Sequence, residues 1–180
     1  IFEQSEASNE SGEPVSEATT AAGTDAIVFE DDVLEGLVRD ALGIPQGEIT
    51  AADAAAVTEL DFQMQGVDPD QPYIHNLDAL RYFVNLTYLG LGYAVQNAED
   101  PADAVDISPL AGLTKLVSLQ LGGIVINDLG PVTDMKNLMS LTVFGGKQLS
   151  DLSPLSGLSK LQALTLNNNA ISDLTPLSAY

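Results

Sequence analysis

His75 is the only histidine in the chain, and cysteine is absent. Any imidazole chemistry would have to be assembled around His75 alone. No second histidine stands at ligand spacing, and no nucleophile motif surrounds it, so neither a zinc centre nor a catalytic triad has support. The missing cysteines remove thiolate metal sites, disulfides and thiol nucleophiles. Asp68-Pro69-Asp70 and Glu99-Asp100 lack the spaced Asp/Asn frame and glycine of a calcium loop. Gly90/Gly92 and Gly122/Gly123 fall inside strand-like runs, not at a strand-to-helix turn, so they do not read as a phosphate cradle. The sequence predicts no catalytic residue, no metal and no cofactor.

The remaining chemistry is recognition. Tyr88, Gln120, Phe144, Thr165 and Asn167 occupy alternate positions in strand-like runs, and Tyr73, His75, Tyr93 and Asn97 fall in two irregular stretches. Aromatic side chains are favoured anchors of protein interfaces. What must position them is a repeat. Asp106-Ile107-Ser108-Pro109-Leu110 recurs as Asp128-Leu129-Gly130-Pro131-Val132, Asp151-Leu152-Ser153-Pro154-Leu155 and Asp173-Leu174-Thr175-Pro176-Leu177. The aspartates are 22, 23 and 22 residues apart, a period that marks a solenoid.

Ahead of these phrases runs a finer pattern, L-x-x-L-x-L. It reads Val57/Leu60/Phe62, Leu86/Leu89/Leu91, Leu116/Leu119/Leu121, Leu138/Leu141/Val143 and Leu161/Leu164/Leu166. Alternation with period two predicts a short strand with one buried face in each repeat, five in all. Strands that always enter in the same direction build a parallel sheet. Pro then fixes φ and Asp caps the free N–H groups of the turn, so the return path is predicted as 3₁₀ or turn structure.

Residues 26–58 read as a helical cap. Val33, Leu34, Leu37, Val38, Ala41 and Leu42 form a stripe at helical spacing. Glu30, Asp31 and Asp32 suit a helix N-terminus, and Gly43 suits its end. Thr50 with Asp53 reads as a second N-terminal capping pair. One end of every solenoid exposes apolar core, and these helices are placed to cover it. Residues 1–25 carry six acids, no base and almost no large apolar residue, and read as a disordered acidic linker, either a loose terminus or a tether. Residues 59–180 are the repeats, the last one incomplete.

Net charge is −20, with only six basic residues. Such a surface repels phosphate backbones and anionic lipid, which argues against nucleic-acid and membrane-surface binding. No run of apolar residues is long enough to span a bilayer.

These residues resemble the leucine-rich repeat family, and within it the bacterial 22-residue internalin-like class. The unit L-Q-A-L-T-L-N-N-N-A-I-S-D-L-T-P-L over 161–177 follows that pattern throughout. The cap resembles the helical cap of the class, with Phe29-Glu30-Asp31, Ala41-Leu42-Gly43 and Ile49-Thr50-Ala51-Ala52-Asp53. The resemblance covers about residues 27–180. It implies a right-handed α/β solenoid with a five-stranded parallel concave sheet, a 3₁₀ or turn convex side and an α-helical N-cap. It also implies a secreted or surface-anchored protein that binds another protein, from a host or a bacterial surface, and is itself a monomer. Three departures stand out. Asn, expected along the stack, is present at Asn169 but replaced by Gln65, Ala94, Ile124 and about Gly146, which predicts looser turns there. Pro is replaced by Ala79 in the first return path. Where the pattern wants a buried Leu stands Tyr180, which either seals the core or precedes more chain.

The concave face then carries Glu59, Asp61 and Gln63; Tyr88, Gly90 and Gly92; Ser118, Gln120 and Gly122; Ser140, Thr142 and Phe144; Ala163, Thr165 and Asn167. It is acidic only at its first strand. Phe144 either points out of this face or tucks against Gly145 and Gly146. The first two repeats are longer: Phe62 to Leu77 spans 15 residues and Leu91 to Ile107 spans 16, against eight or nine later. Both insertions leave at the same point of the repeat and hold Tyr73, His75, Tyr93 and Asn97. They are either a binding edge or ordinary variation in surface loops. Protein binding through the concave face or these loops is the expected function. Glycan or cell-wall binding through Tyr73 and Tyr93, and a purely structural spacer, are the alternatives.

Overall fold

The computed structural model describes residues 25–62, 73–92, 104–145, 147–178 and 180. The predicted acidic linker and most of both insertions lie outside those residues. Five strands stack in chain order into one parallel sheet: β1 (Glu59–Asp61), β2 (Tyr88–Gly90), β3 (Ser118–Gly122), β4 (Ser140–Phe144) and β5 (Ala163–Thr165). The register is regular. Leu60, Leu89, Leu119, Leu141 and Leu164 sit side by side across all five strands. Leu86, Leu89, Leu91, Leu116, Leu119, Leu121, Leu138, Leu141 and Val143 have no exposed surface, so the L-x-x-L-x-L pattern is the core.

Each chain return is a short 3₁₀ turn: Asp78–Tyr82, Ser108–Leu110, Gly130–Val132, Ser153–Leu155 and Thr175–Leu177. The aspartate of each phrase holds the turn. The Oδ1 atoms of Asp106, Asp128, Asp151 and Asp173 accept the N–H two residues on, at 2.7–2.8 Å. In the first repeat Asn76 does the same for Asp78 at 2.7 Å, with Ala79 buried where the later turns have Pro. The phrase therefore occurs five times in structure and four in sequence, because an amide oxygen and a carboxylate oxygen can both close this turn.

The cap is partly helical. α1 (Asp32–Leu42) buries Leu34 and Val38 and ends at Gly43, whose φ of 67° is the left-handed conformation that glycine adopts at least cost. The buried stripe stops short of the last turn, where Ala41 is exposed. α2 (Ala51–Ala55) opens on the Thr50–Asp53 capping pair, with both reciprocal bonds present. Residues 26–31 are extended, not helical. Ala26 bridges antiparallel to Thr50, and the Ile27 N–H donates to the Ile49 carbonyl at 2.8 Å. Ile27 and Ile49 are both buried, and this pairing, not a longer helix, ties the two cap helices together.

One carboxylate joins cap to repeats. Asp31 is the only charged side chain buried among the described residues. Its Oδ1 accepts the Leu34 N–H at the start of α1 (2.8 Å). Its Oδ2 accepts the His75 N–H (2.6 Å) and the Asn76 N–H (3.0 Å) at the first return turn. Three backbone donors, one in a buried bond and two in part-buried ones, thus converge on one side chain. The far end is less enclosed: Leu161, Leu164, Leu166 and Leu177 are half-buried and Leu174 is exposed. Tyr180 covers part of that end, its hydroxyl donating to the Leu155 carbonyl while half its surface stays open.

Two expectations follow. Asp31→Ala should lower the free energy of unfolding by about 2–4 kcal/mol, and the His75 and Asn76 amides should exchange faster. A cost below about 1 kcal/mol in a urea titration would show that the cap docks without this carboxylate. The second expectation concerns pH. Asp53 and Asp173 are held below the usual carboxylate range first by the hydroxyls of Thr50 and Thr175, then by backbone N–H groups; Asp151 is lowered first by the Ser153 N–H, then by its hydroxyl. A depressed folded value stabilises above the unfolded value of 3.8, and that contribution is lost as pH falls through the lower folded values. The stability advantage of the native protein over Asp53→Asn/Asp151→Asn/Asp173→Asn should therefore be constant above about pH 5 and shrink below about pH 4. A gap unchanged down to pH 2.5 would contradict this.

Candidate functional site: the open face of the sheet

The register divides the face away from the core into rows. One row reads Glu59, Tyr88, Ser118, Ser140 and Ala163, and the next Asp61, Gly90, Gln120, Thr142 and Thr165. In the third, Gly122 stands beside Phe144, and the Gly145 N–H donates to the Asn167 carbonyl at 3.1 Å. Tyr88, Gln120 and Phe144 therefore lie on a diagonal, each one strand over and one row along from the last. All three are half-buried, as expected of side chains standing on a sheet.

Phe144 follows the outward reading, and its ring rests on a glycine of the neighbouring strand and not on the predicted Gly145. It occupies an outward slot, while Val143 fills the core slot with no exposure. Its ring lies over Gly122 of the neighbouring strand: a Cβ built at Gly122 would come within 2.7 Å of the ring's Cζ. Gly122 is accordingly buried, and so are Gly90 and Gly92, which sequence reasoning placed on the open surface. With no side chain of their own, the strand glycines have only backbone to cover.

The face has a border that the predicted site omits. Val117 and Met139 precede β3 and β4, are adjacent through the Met139 N–H to Val117 carbonyl bond (2.8 Å), and are each 37% exposed. The same place in the other repeats holds Thr58, Thr87 and Gln162. An apolar residue at a slot that is polar elsewhere in the chain was the available signal.

Other predicted site residues are elsewhere. Thr165 and Asn167 are exposed at the β5 side of the same face. His75 is exposed on the turn side, where it lines a polar cleft of about 140 Å³ with Asn76, Leu77, Asp78, Asp106 and Pro109. Tyr73 is half-buried next to the fully buried Ile74. Tyr93 and Asn97, with Gln63, Gln65, Ala94 and Gly146, lie outside the described residues, as do Asp68-Pro69-Asp70 and Glu99-Asp100. The structure thus joins Tyr88, Gln120, Phe144, Thr165 and Asn167 on one surface and sets His75 apart from it. The His75 cleft is well below the 300 Å³ or more typical of small-molecule sites.

The expected looseness at the Asn replacements is not seen at Ile124. Asn169 donates to the Val143 carbonyl (2.8 Å) and the Leu166 carbonyl (2.9 Å), whereas Ile124 is fully buried and holds its turn by packing. A second column of cross-repeat bonds escaped the sequence reading. Asn85 Nδ2 donates to the Ala55 carbonyl (2.6 Å), and Lys115 Nζ to Asn85 Oδ1 (2.6 Å). Two repeats on, Asn137 Nδ2 donates to the Thr114 carbonyl (3.2 Å), and Lys160 Nζ to Asn137 Oδ1 (2.7 Å). Arg39 is bonded to Glu35, Arg81 to Asp78, and Lys136 to the Thr133 carbonyl. Five of the six basic side chains are thus used within the chain, leaving the acidic surplus to the surface.

No protein-family profile matches the chain, and no curated protein matches it. Solved structures do. An internalin, InlF, from Listeria monocytogenes aligns over 89% of this chain and 51% of its own, at 25% identity and a TM-score of 0.60. Internalin C2 of the same organism aligns over 85% of this chain and 71% of its own, at 26% identity and a TM-score of 0.55. The chain spans about half the length of the InlF structure. The fold is a leucine-rich-repeat solenoid similar to that of these bacterial internalins.

The Gly122–Phe144 contact makes a direct prediction. Gly122→Ala should destabilise the protein by about 1–2 kcal/mol by lifting the ring, and most of that cost should vanish when Phe144→Ala is already present. Equal costs in both backgrounds would mean that the ring does not rest on Gly122.

Proposed function

We propose that the protein is a non-enzymatic protein-interaction module whose open sheet face takes the partner. Residues 59–180 supply the surface and 26–58 cap its first end. The observation that carries this reading is the diagonal of Tyr88, Gln120 and Phe144, bordered by exposed Val117 and Met139. Aromatic and apolar side chains here stand on a sheet whose strands are fixed on both sides by hydrogen bonds. A rigid platform loses little conformational freedom on binding, which favours affinity. The small side chains around the diagonal (Ser118, Ser140 and Thr142) let another surface approach closely. The resemblance to internalin-like proteins supports a secreted or surface-exposed setting and a partner on a host or bacterial surface. Among the described residues, no helix is long and apolar enough to cross a membrane.

The test is partner capture on a panel of purified extracellular protein domains, comparing the native protein with Tyr88→Ser/Phe144→Ser. The variant should keep its circular dichroism and melting profile to within a few degrees and lose binding by at least tenfold. Undiminished capture by a folded variant would move the site off the sheet face.

A further inference from the structure

The two sides of the stack are finished differently. The cap docks on the β1 side, but among the described residues the β5 side is covered only in part, by Tyr180. Leu164 and Leu166 are half-buried there, whereas their equivalents Leu119, Leu121, Leu141 and Val143 have no exposed surface. Leu174 is 63% exposed, against 0% and 1% for its equivalents Leu129 and Leu152. Leu161, Gln162, Leu164, Leu177 and Tyr180 line a cleft of about 120 Å³ on this side. β5 pairs with β4 alone, so its other edge is open. One missing bond can be named. The Leu91 N–H donates to the Gln120 carbonyl of the next strand at 2.9 Å, and the equivalent Leu166 has no next strand among the described residues. Asn169 Oδ1, in the same repeat, is enclosed without a donor. Charge also runs out here. Residues 147–180 hold Lys147, Lys160, Asp151 and Asp173 and are neutral as a whole, which leaves the entire net charge of −20 to residues 1–146.

We infer that the β5 side is the contact surface of a homodimer, with β5 of one protomer added edge to edge to β5 of a second copy. This replaces the monomer that the resemblance implies. Charge selects the occupant. Two copies meeting at this side join neutral, apolar surfaces and hold their acidic parts at opposite ends, whereas an approach through the cap or the first repeats sets acidic surface against acidic surface. Symmetry selects the arrangement. The cap stands at the other end of the stack, so copies do not add head to tail, and a two-fold pair is the form that closes. A two-fold axis normal to the sheet sets the two β5 strands antiparallel and keeps both core faces on the same side. The half-exposed leucines and Leu174 of the two protomers then continue one core, and the open edge gains backbone partners. The pair also sets two copies of the open sheet face side by side on one continuous sheet.

The test is sedimentation of the purified chain from about 1 to about 500 μM, at about 50 and about 300 mM salt. A monomer–dimer equilibrium without larger species is expected, and it should tighten with salt as repulsion between the two acidic bodies is screened. Leu174→Glu should weaken the dimer at least tenfold, while Val28→Glu, which changes an even more exposed apolar residue on the cap, should leave it unchanged. Both variants should keep the native melting profile, because both side chains are exposed. Amide exchange gives a readout without substitution: the Leu164 and Leu166 amides should slow as concentration rises, and those of the cap should not. A chain that stays monomeric over the whole range, equal weakening by Leu174→Glu and Val28→Glu, or growth beyond the dimer would overturn the inference. So would a monomer whose Leu164 and Leu166 amides are protected by a synthetic peptide of sequence L-Q-A-L-T-L-N-N-N, which would assign the edge to a strand of another protein. The sheet-face reading stands or falls separately, on Tyr88→Ser/Phe144→Ser.

Discussion

Everything in this molecule depends on one geometric demand: each repeat must bring the chain back beside its own previous strand. Hydrogen-bonded parallel strands lie about 4.8 Å apart, and that spacing leaves no slack. The backbone bonds show the demand being met at the start of each strand. Thr87, Val117, Met139 and Gln162 each donate to the equivalent residue one repeat earlier, at 2.7–2.8 Å. Leucine columns then need no further specification, because residues in register on one face must stack on one another. The aspartate of the turn is a consequence of the same demand. A return that rises by one strand spacing needs a sharp turn with its N–H groups satisfied, and a side chain two residues earlier does this within the repeat itself.

The same demand explains what was legible in the sequence. The strands, the turn phrase, the Gly43 helix end and the Thr50–Asp53 cap are local patterns. Each is written within a few residues, and each appears where its pattern predicts. What escaped was the information that depends on two repeats at once. The Asn85–Lys115 and Asn137–Lys160 bonds join residues 30 and 23 positions apart. Asp31 reaches Asn76 across 45 positions. Phe144 rests on a glycine of another strand. None of these has a sequence motif, because the partner is set by register and not by neighbours in the chain. Asn76 was missed for the opposite reason: the local device was present with a different atom type.

Once the backbone is fixed, side chains on the core face are constrained by packing and those on the open face are not. The core columns accordingly hold leucine, isoleucine, valine and one or two aromatics. The open face changes from strand to strand: two carboxylates, a tyrosine, a glutamine, then a phenylalanine. The scaffold does not require this variation, since Ser140 and Ala163 serve equally well at equivalent positions. Gly122 couples this face back to the scaffold, by making room for the Phe144 ring.

Charge follows the same division. Lys115 and Lys160 bridge adjacent repeats, Arg39 closes the end of α1, and Arg81 and Lys136 bond within their own turns. Asp53, Asp106, Asp128, Asp151 and Asp173 are likewise engaged in caps and turns. Glu59 and Asp61 stand in neither a turn nor a cap. They are the first and last residues of β1, and carboxylates are usually depleted in β structure. The strand tolerates them because β1 is only three residues long and Leu60 between them is buried. Exposed carboxylates at this edge, beside neutral outward positions on the strands that follow, make the two sides of the sheet face chemically distinct.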